Sequence, residues 1–297
     1  MMQNEHYPSL FRSSDAASVS AQRTYILLQR TYLVSLILSS IIGSSIVLKV
    51  GQTSWWYVIL AIILALGLLI LWITRSRRDE NAWFDCRAIA ESVKTAAWRF
   101  MMNAHPFQES DSVEKRFVAE LQEIRKAMPD SAKHLASQMD GSASAITDFM
   151  RQLRRHPYDE RKQFYIESRL RDQKKWYSDK ANMNARSGER WFWLTAGFQI
   201  IAVMIAIITI AIGSLRFNFI PALMAFAAVV AAWSQMKRYD ELAKAYALAA
   251  QELIELEAIA ENLNQESSFP QFVEQVEGAI SREHTMWCAR RDILLSR

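Results

Sequence analysis

Polar and small side chains inside long uncharged windows are the first place to look for chemistry, because water cannot satisfy them there. Ser35, Ser39 and Gly43 recur at i, i+4 and i+8, and Ser40 and Ser44 form a second small row beside them. Gly197 and Gln199 fall in a third uncharged window. Such residues can do two things. They let membrane helices approach closely and hydrogen-bond across the contact, or they line a weakly polar water path once several copies assemble. Both readings stay open. No window holds a formal charge, which argues against a voltage sensor, a proton pump or an ion-coupled transporter.

Catalytic constellations are not advertised. His6, His105, His134, His156 and His284 lie in separate segments, and no pair has the i, i+4 spacing of a helical metal site. The eight glycines never form GxG, and no GxSxG occurs. Cys86 and Cys288 have no CxxC partner, which suits a reducing cytosol. Glu252, Glu255 and Glu257 lack a histidine partner and read as a solvated helix face. No catalytic residue, metal or cofactor is expected, and the chain is not expected to be an enzyme.

The elements that position these residues are helices. Hydrophobic residues make up 51% and charged residues 22%, and four windows carry nearly none of the charge. Gly and Pro are scarce, so the composition is all-helical. The spans are expected at about 31–48, 55–74, 191–212 and 217–233, giving two hairpins with turns at 49–54 and near Gly213 to Arg216. At ~1.5 Å rise per residue such helices cross a ~30 Å hydrocarbon layer. Trp55, Trp56 and Trp72 bracket the second span, and Trp191 opens the third, as interfacial aromatic rings do. Lys and Arg near the spans cluster on one side (Arg12, Arg23, Arg30, Arg75, Arg77, Arg78, then Arg186, Arg190, Lys237 and Arg238), while the turns hold only Lys49 and Arg216. Both termini and the central block are therefore expected in the cytosol of a multi-pass inner-membrane protein. The basic flanks follow from this topology, and no nucleic-acid partner is expected. Residues 1–30 carry no apolar h-region of a cleavable signal peptide.

Ser13 and Ser14 with Asp15 are expected to cap a first helix. After the second span Trp83, Cys86, Ala90, Val93, Ala97 and Phe100 recur at 3–4 spacing, and after the fourth Leu242, Tyr246, Ala249, Leu253, Leu256, Ala260 and Leu263 do the same. The stripes predict stalk helices at 79–104 and 238–264, paired in a coiled-coil-like seam or packed on a local bundle. Between them, Val113, Phe117, Leu121, Ile124 and Met128 share one helix face and Pro129 stops it. Asp140-Gly141-Ser142 interrupts the next segment, and a last amphipathic helix reaches Leu295. The chain thus divides at His156-Pro157 into 1–156 and 157–297, the second half opening on a lead-in helix at 158–190. Trp72, Asp79 and Glu80 match Trp233, Asp240 and Glu241 at an offset of 161, whereas the stripes align at 163, so the architecture is duplicated more clearly than the residues.

The lead-in helix carries Tyr165, Arg169, Asp172, Gln173, Trp176, Tyr177, Lys180, Ala181 and Asn184, or YxxxRxxDQxxWYxxKAxxN. Tyr165, Arg169, Asp172 and Trp176 would share a face, with Arg169 and Asp172 paired at i, i+3. This segment resembles the SLATT families, the SMODS- and SLOG-associating two-transmembrane effector domains of bacteria. Tyr7-Pro8-Ser9-Leu10, Asp15-Ala16-Ala17-Ser18 and Ala21-Gln22-Arg23 resemble the start of a sister SLATT family, so the resemblance covers nearly the whole chain as two such units in tandem. It implies a pore-forming effector of a bacterial nucleotide-signalling or anti-phage conflict system. Such an effector permeabilises the inner membrane when triggered and arrests or kills the infected cell. A homo-oligomer in the lipid bilayer is expected, with a nucleotide second messenger or a sensor protein acting in trans. The rival expectation is a non-conducting membrane scaffold that recruits a cytosolic sensor or enzyme.

Overall fold

The computed structural model describes residues 2–46, 54–108, 111–138, 144–212 and 219–281. Most of the turn expected at 49–54, the break at Gly213 to Arg216, the Asp140-Gly141-Ser142 interruption, His284, Cys288 and the run to Leu295 lie outside the described residues.

Every regular element among the described residues is helical. Helix α1 (Ser9–Ile46) is followed by α2 (Ser54–Arg77), α3 (Asp79–Met101), α4 (Val113–Lys126), α5 (Ala132–Ala136), α6 (Asp148–Arg155) and α7 (Tyr158–Tyr165). A π-helical turn, Ile166–Arg171, then leads into α8 (Asp172–Ile212), α9 (Ile220–Lys237) and α10 (Tyr239–Glu261), and a last helix α11 covers 269–281. Four stretches are long and apolar enough to cross a membrane: Ser9–Ser44, Trp55–Met101, Tyr158–Ile212 and Ile220–Glu261. Helix α1 thus includes most of the first expected lead segment and span, and α8 the end of the second lead segment and its span.

Two details differ from expectation. Helix α1 starts at Ser9, so Ser13 and Ser14 are not caps; their hydroxyls donate to the Leu10 carbonyl from inside the helix. Pro8, which cannot donate to a preceding turn, marks the start instead. The second difference lies at the ends of α2 and α9. Arg78 (φ 52°) and Arg238 (φ 50°) adopt the left-handed conformation that ends a helix, so α3 and α10 begin as new elements with an acidic first turn. These two breaks lie 160 residues apart, close to the duplication offset.

The described residues form two compact units. A bundle unit comprises those within Met1–Gln22, Glu80–Ala181 and Lys244–Arg297, and a span unit those within Arg23–Asp79 and Asn182–Ala243. In the bundle unit the stripe residues Cys86, Ala90, Val93, Ala97 and Phe100 are buried, as expected. Ala88, Ile89, Ala96, Trp98 and Met101 are buried as well. Burial at three consecutive positions means that neighbours surround α3 on more than one side. The local-bundle alternative fits this packing, whereas a two-stranded seam buries one stripe. Phe117 and Leu121 of α4 complete the core on the face expected for them.

The span unit has the opposite pattern. Leu66, Leu68 and Leu69 of α2 and Ile200, Val203 and Ile207 of α8 are exposed, as are most of their apolar neighbours. In water such a continuous apolar surface would be prohibitively unfavourable; in hydrocarbon it is solvated. Its contacts between helices use aromatic pairs, Phe198 stacked on Phe226 at 5.3 Å and Trp191 beside Trp233 at 6.4 Å.

Candidate functional site

Helix α7 opens on Pro157 and an acidic first turn, Asp159 and Glu160, which suits its N-terminus. The π-turn that follows changes the phase of the helix. Each of its hydrogen bonds spans one residue more than in an α-helix, so side chains after it rotate off the stripe that α spacing assigns. Tyr165, Arg169 and Leu170 all point into the core of the bundle unit. Asp172 stays partly exposed and Trp176 is 37% exposed.

Arg169 does not pair with Asp172. Its Nε donates to Glu277 Oε1 at 2.8 Å and its Nη2 to Oε2 at 2.7 Å, a two-pronged contact in which both side chains are almost fully buried. Tyr165 Oη donates to Oε1 and Thr95 Oγ1 to Oε2, each at 3.0 Å, so the carboxylate accepts four bonds. The guanidinium lies 5.9 Å from the Trp98 ring centroid, and Trp98 Nε1 donates to Tyr7 Oη at 3.0 Å. Arg169 Nη1 is buried without a hydrogen-bond partner among the described residues. Burial opposes the charge on Arg169, but the Glu277 carboxylate and its hydrogen bonds outweigh that, so Arg169 holds its proton even more tightly than usual. Burial, then the neighbouring Glu277 charge, pushes the Tyr165 phenol well up. Burial likewise raises Tyr7 to about 12, against the Arg169 charge, so both phenols stay neutral.

This network ties α3, the π-turn and α11 to the segment before α1. In energetic terms it resembles a latch rather than a simple source of stability. A buried pair roughly offsets its own desolvation, but losing one member costs about 3–5 kcal/mol. On the outer side of the same π-turn opens a surface hollow of about 420 Å³, lined among others by Lys162, Ile166, Glu167, Arg171 and Glu257. Glu257 holds Arg171 and Lys174, which lower its carboxyl below the usual range.

The rest of the lead-in motif is structural. Trp176 packs edge-on against Tyr177 at 5.1 Å and Tyr246 at 5.4 Å, with Lys180 Nζ 5.8 Å from its ring centroid. Tyr177 is buried and donates to the Ile280 carbonyl at 3.4 Å; Gln173 is half-buried, and Asn184 is buried in the span unit.

Among the span residues, Ser35 is buried, and an added Cβ on Gly67 would lie 2.9 Å from its Oγ. Glycine leaves room for the Ser35 hydroxyl of α1 to sit this close to α2. Ser35 and Ser39 hydroxyls bond back to Tyr32 and Ser35 carbonyls at 2.7 Å. Ser40 Oγ reaches from α1 to the Pro221 carbonyl of α9 at 3.1 Å, a bond between the two hairpins. Ser44 Oγ is buried without a hydrogen-bond partner among the described residues. A Cβ on Gly43 or Gly197 would meet nothing within 4 Å, and Gln199 is exposed.

Sequence reasoning missed Glu277, Thr95 and Trp98, and met Tyr7 only within the N-terminal resemblance. One signal was available for Glu277. At helical spacing it lies four residues after Val273, on the flank of an apolar stripe of Phe272, Val273, Val276 and Ile280, whereas Glu274 falls farther round the helix; that flank is where a buried partner for Arg169 would sit.

Two family models match the chain. The SMODS and SLOG-associating 2TM effector domain 3 covers residues 8–162, and the SMODS and SLOG-associating 2TM effector domain 1 covers residues 165–287. No curated protein and no solved structure matches it. The tandem expected from the two sequence resemblances is what these matches give. Thr95 and Trp98 lie in the first matched segment and Tyr165, Arg169 and Glu277 in the second, so the buried network joins the two.

Proposed function

We propose that this chain, which belongs to the SLATT families of two-transmembrane effector domains through both of its halves, permeabilises the bacterial inner membrane when a conflict or nucleotide signal releases it. SLATT domains are membrane effector domains, and four helices able to span make the chain a multi-pass membrane protein. The finer reading is a homo-oligomeric pore with both termini in the cytosol. The observation that supports it best is the outward placement of Gln199, with Gly197 and Gly43 likewise facing no neighbour. A carboxamide left in hydrocarbon is costly. Copies assembled around these faces would give it a partner or water.

The bundle unit would be the switch, with Arg169–Glu277 as its latch and the hollow at the π-turn as the place where a nucleotide or a sensor in trans presses on it. A two-state bundle biased by a ligand is a sufficient device.

Purified full-length protein in liposomes tests the reading by ion or dye release. Gln199→Leu and Ser39→Leu should abolish release while leaving the oligomer mass unchanged. If these variants lose assembly instead, the residues serve packing. If the wild type conducts nothing under any trigger, the scaffold reading replaces the pore. Leu248, Ile254 and Ile259, exposed on α10 of the bundle unit, favour that alternative as a docking face.

A further inference from the structure

Two cations of the span unit share one indole. The Arg30 guanidinium carbon lies 5.1 Å from the Trp233 ring centroid, and Lys237 Nζ lies 5.3 Å from the same centroid. The two charges are thus no farther apart than the sum of those distances. Trp191 stands beside Trp233, ring centroids 6.4 Å apart. Among the described residues neither Arg30 nor Lys237 enters an ion pair, whereas the neighbouring Arg77 and Arg238 hold Asp79 and Glu241. The indole face attracts both cations but carries no formal charge to neutralise either.

We propose that Arg30, Lys237, Trp191 and Trp233 bind the phosphodiester headgroup of an anionic phospholipid. A phosphate set between the cations would neutralise both, and the guanidinium fork matches its unesterified oxygens. The flanks identify a lipid as the source rather than a soluble phosphate. Leu27 and Val34 lie one turn before and one turn after Arg30 on the same face of α1, and they are 63% and 52% exposed. Phe192 and Trp193, next to Trp191, are 63% and 62% exposed. The Leu27 and Val34 surface flanks Arg30, where acyl chains would run. Arg30 belongs to the first hairpin and Trp191, Trp233 and Lys237 to the second, so the headgroup would staple the hairpins together. Basic pockets between membrane helices hold lipid headgroups in this way.

The full-length chain, purified in detergent, carries the test. Mass spectrometry of lipid retained after stripping should show phosphatidylglycerol enriched over phosphatidylcholine relative to the source membrane. In binding to mixed micelles the preference should be about fivefold for each cation and about twenty-five-fold together. Arg30→Gln and Lys237→Gln should each remove about one factor, and the double variant both. The charge-keeping pair Arg30→Lys with Lys237→Arg should retain most of the preference, and it covers the case in which the double variant does not fold. Lys175→Gln, in the bundle unit, should change nothing. Retained lipid that merely mirrors the source membrane would overturn the proposal. So would a double variant that still prefers phosphatidylglycerol. Displacement of the lipid by millimolar inorganic phosphate would overturn the lipid assignment in favour of a soluble phosphate.

Discussion

The bundle unit and the span unit solve the same problem with opposite solvents. In the bundle unit the apolar side chains point inward, and the two most deeply buried charges, Arg169 and Glu277, are closed against each other. In the span unit the aliphatic surface points outward, while Ser35 and Asn184 are turned in. The contrast teaches where a polar side chain can carry function. A polar group inside the bundle must be satisfied within the bundle, so it records how its helices are arranged. An exposed polar side chain of the span unit such as Gln199, with no hydrogen-bond partner among the described residues, points to another molecule.

The comparison can be broken most severely at the ion pair. Glu277→Gln should destabilise the bundle unit by about 3–5 kcal/mol, because it strands a buried guanidinium, and the double variant Arg169→Met with Glu277→Leu should recover most of that. Chemical unfolding of the full chain in detergent measures both. Next comes the outer surface of the spans. Leu68→Lys, at a position 68% exposed, should cost about 2.5–3.5 kcal/mol of membrane insertion in a translocation assay. The same charge added at exposed Gln152 of the bundle unit should stay within about 0.5 kcal/mol.

A smaller effect separates two glycines. Gly67→Ala should lose about 1 kcal/mol of hairpin stability relative to Gly43→Ala, since only the first Cβ meets a neighbour, Ser35. Thermal melting of the two variants side by side reads the difference. The smallest effect concerns Lys94, whose amine is pulled below 10.5 chiefly by burial, with the Glu91 charge opposing. Because the folded form gives up its proton more readily than the unfolded one, the penalty is complete below the folded value. It lifts as pH rises toward 10.5. Lys94→Met should therefore be more stable than wild type near pH 7, with the gain fading in alkaline buffer; melting curves across pH check it.

Much of the fold was legible from local chemistry. Uncharged runs marked the spans, and the 3–4 stripes marked buried faces on α3 and α10, because both depend on residues close in sequence. The helix start at Ser9 was misread, since Ser13-Ser14-Asp15 is as good a cap as Pro8 is a start, and local preference alone does not choose. The candidate site was legible only in part. Tyr165 and Arg169 stood out within the lead-in motif, but Arg169 was assigned the nearby Asp172 because α spacing was assumed through Ile166–Arg171. The π-turn broke that assumption, and the true partner lies 108 residues away.

The sequence by itself settled that this is an all-helical chain with four membrane-capable helices and two SLATT-like halves, because hydropathy and motif are properties of contiguous residues. Tertiary structure alone decided which charges share a core, that Ser40 reaches Pro221, and that Gln199 faces away from its own helices. Those outcomes depend on the rotation of each helix about its axis. One extra residue in a turn resets that rotation, and no count along the chain reveals it.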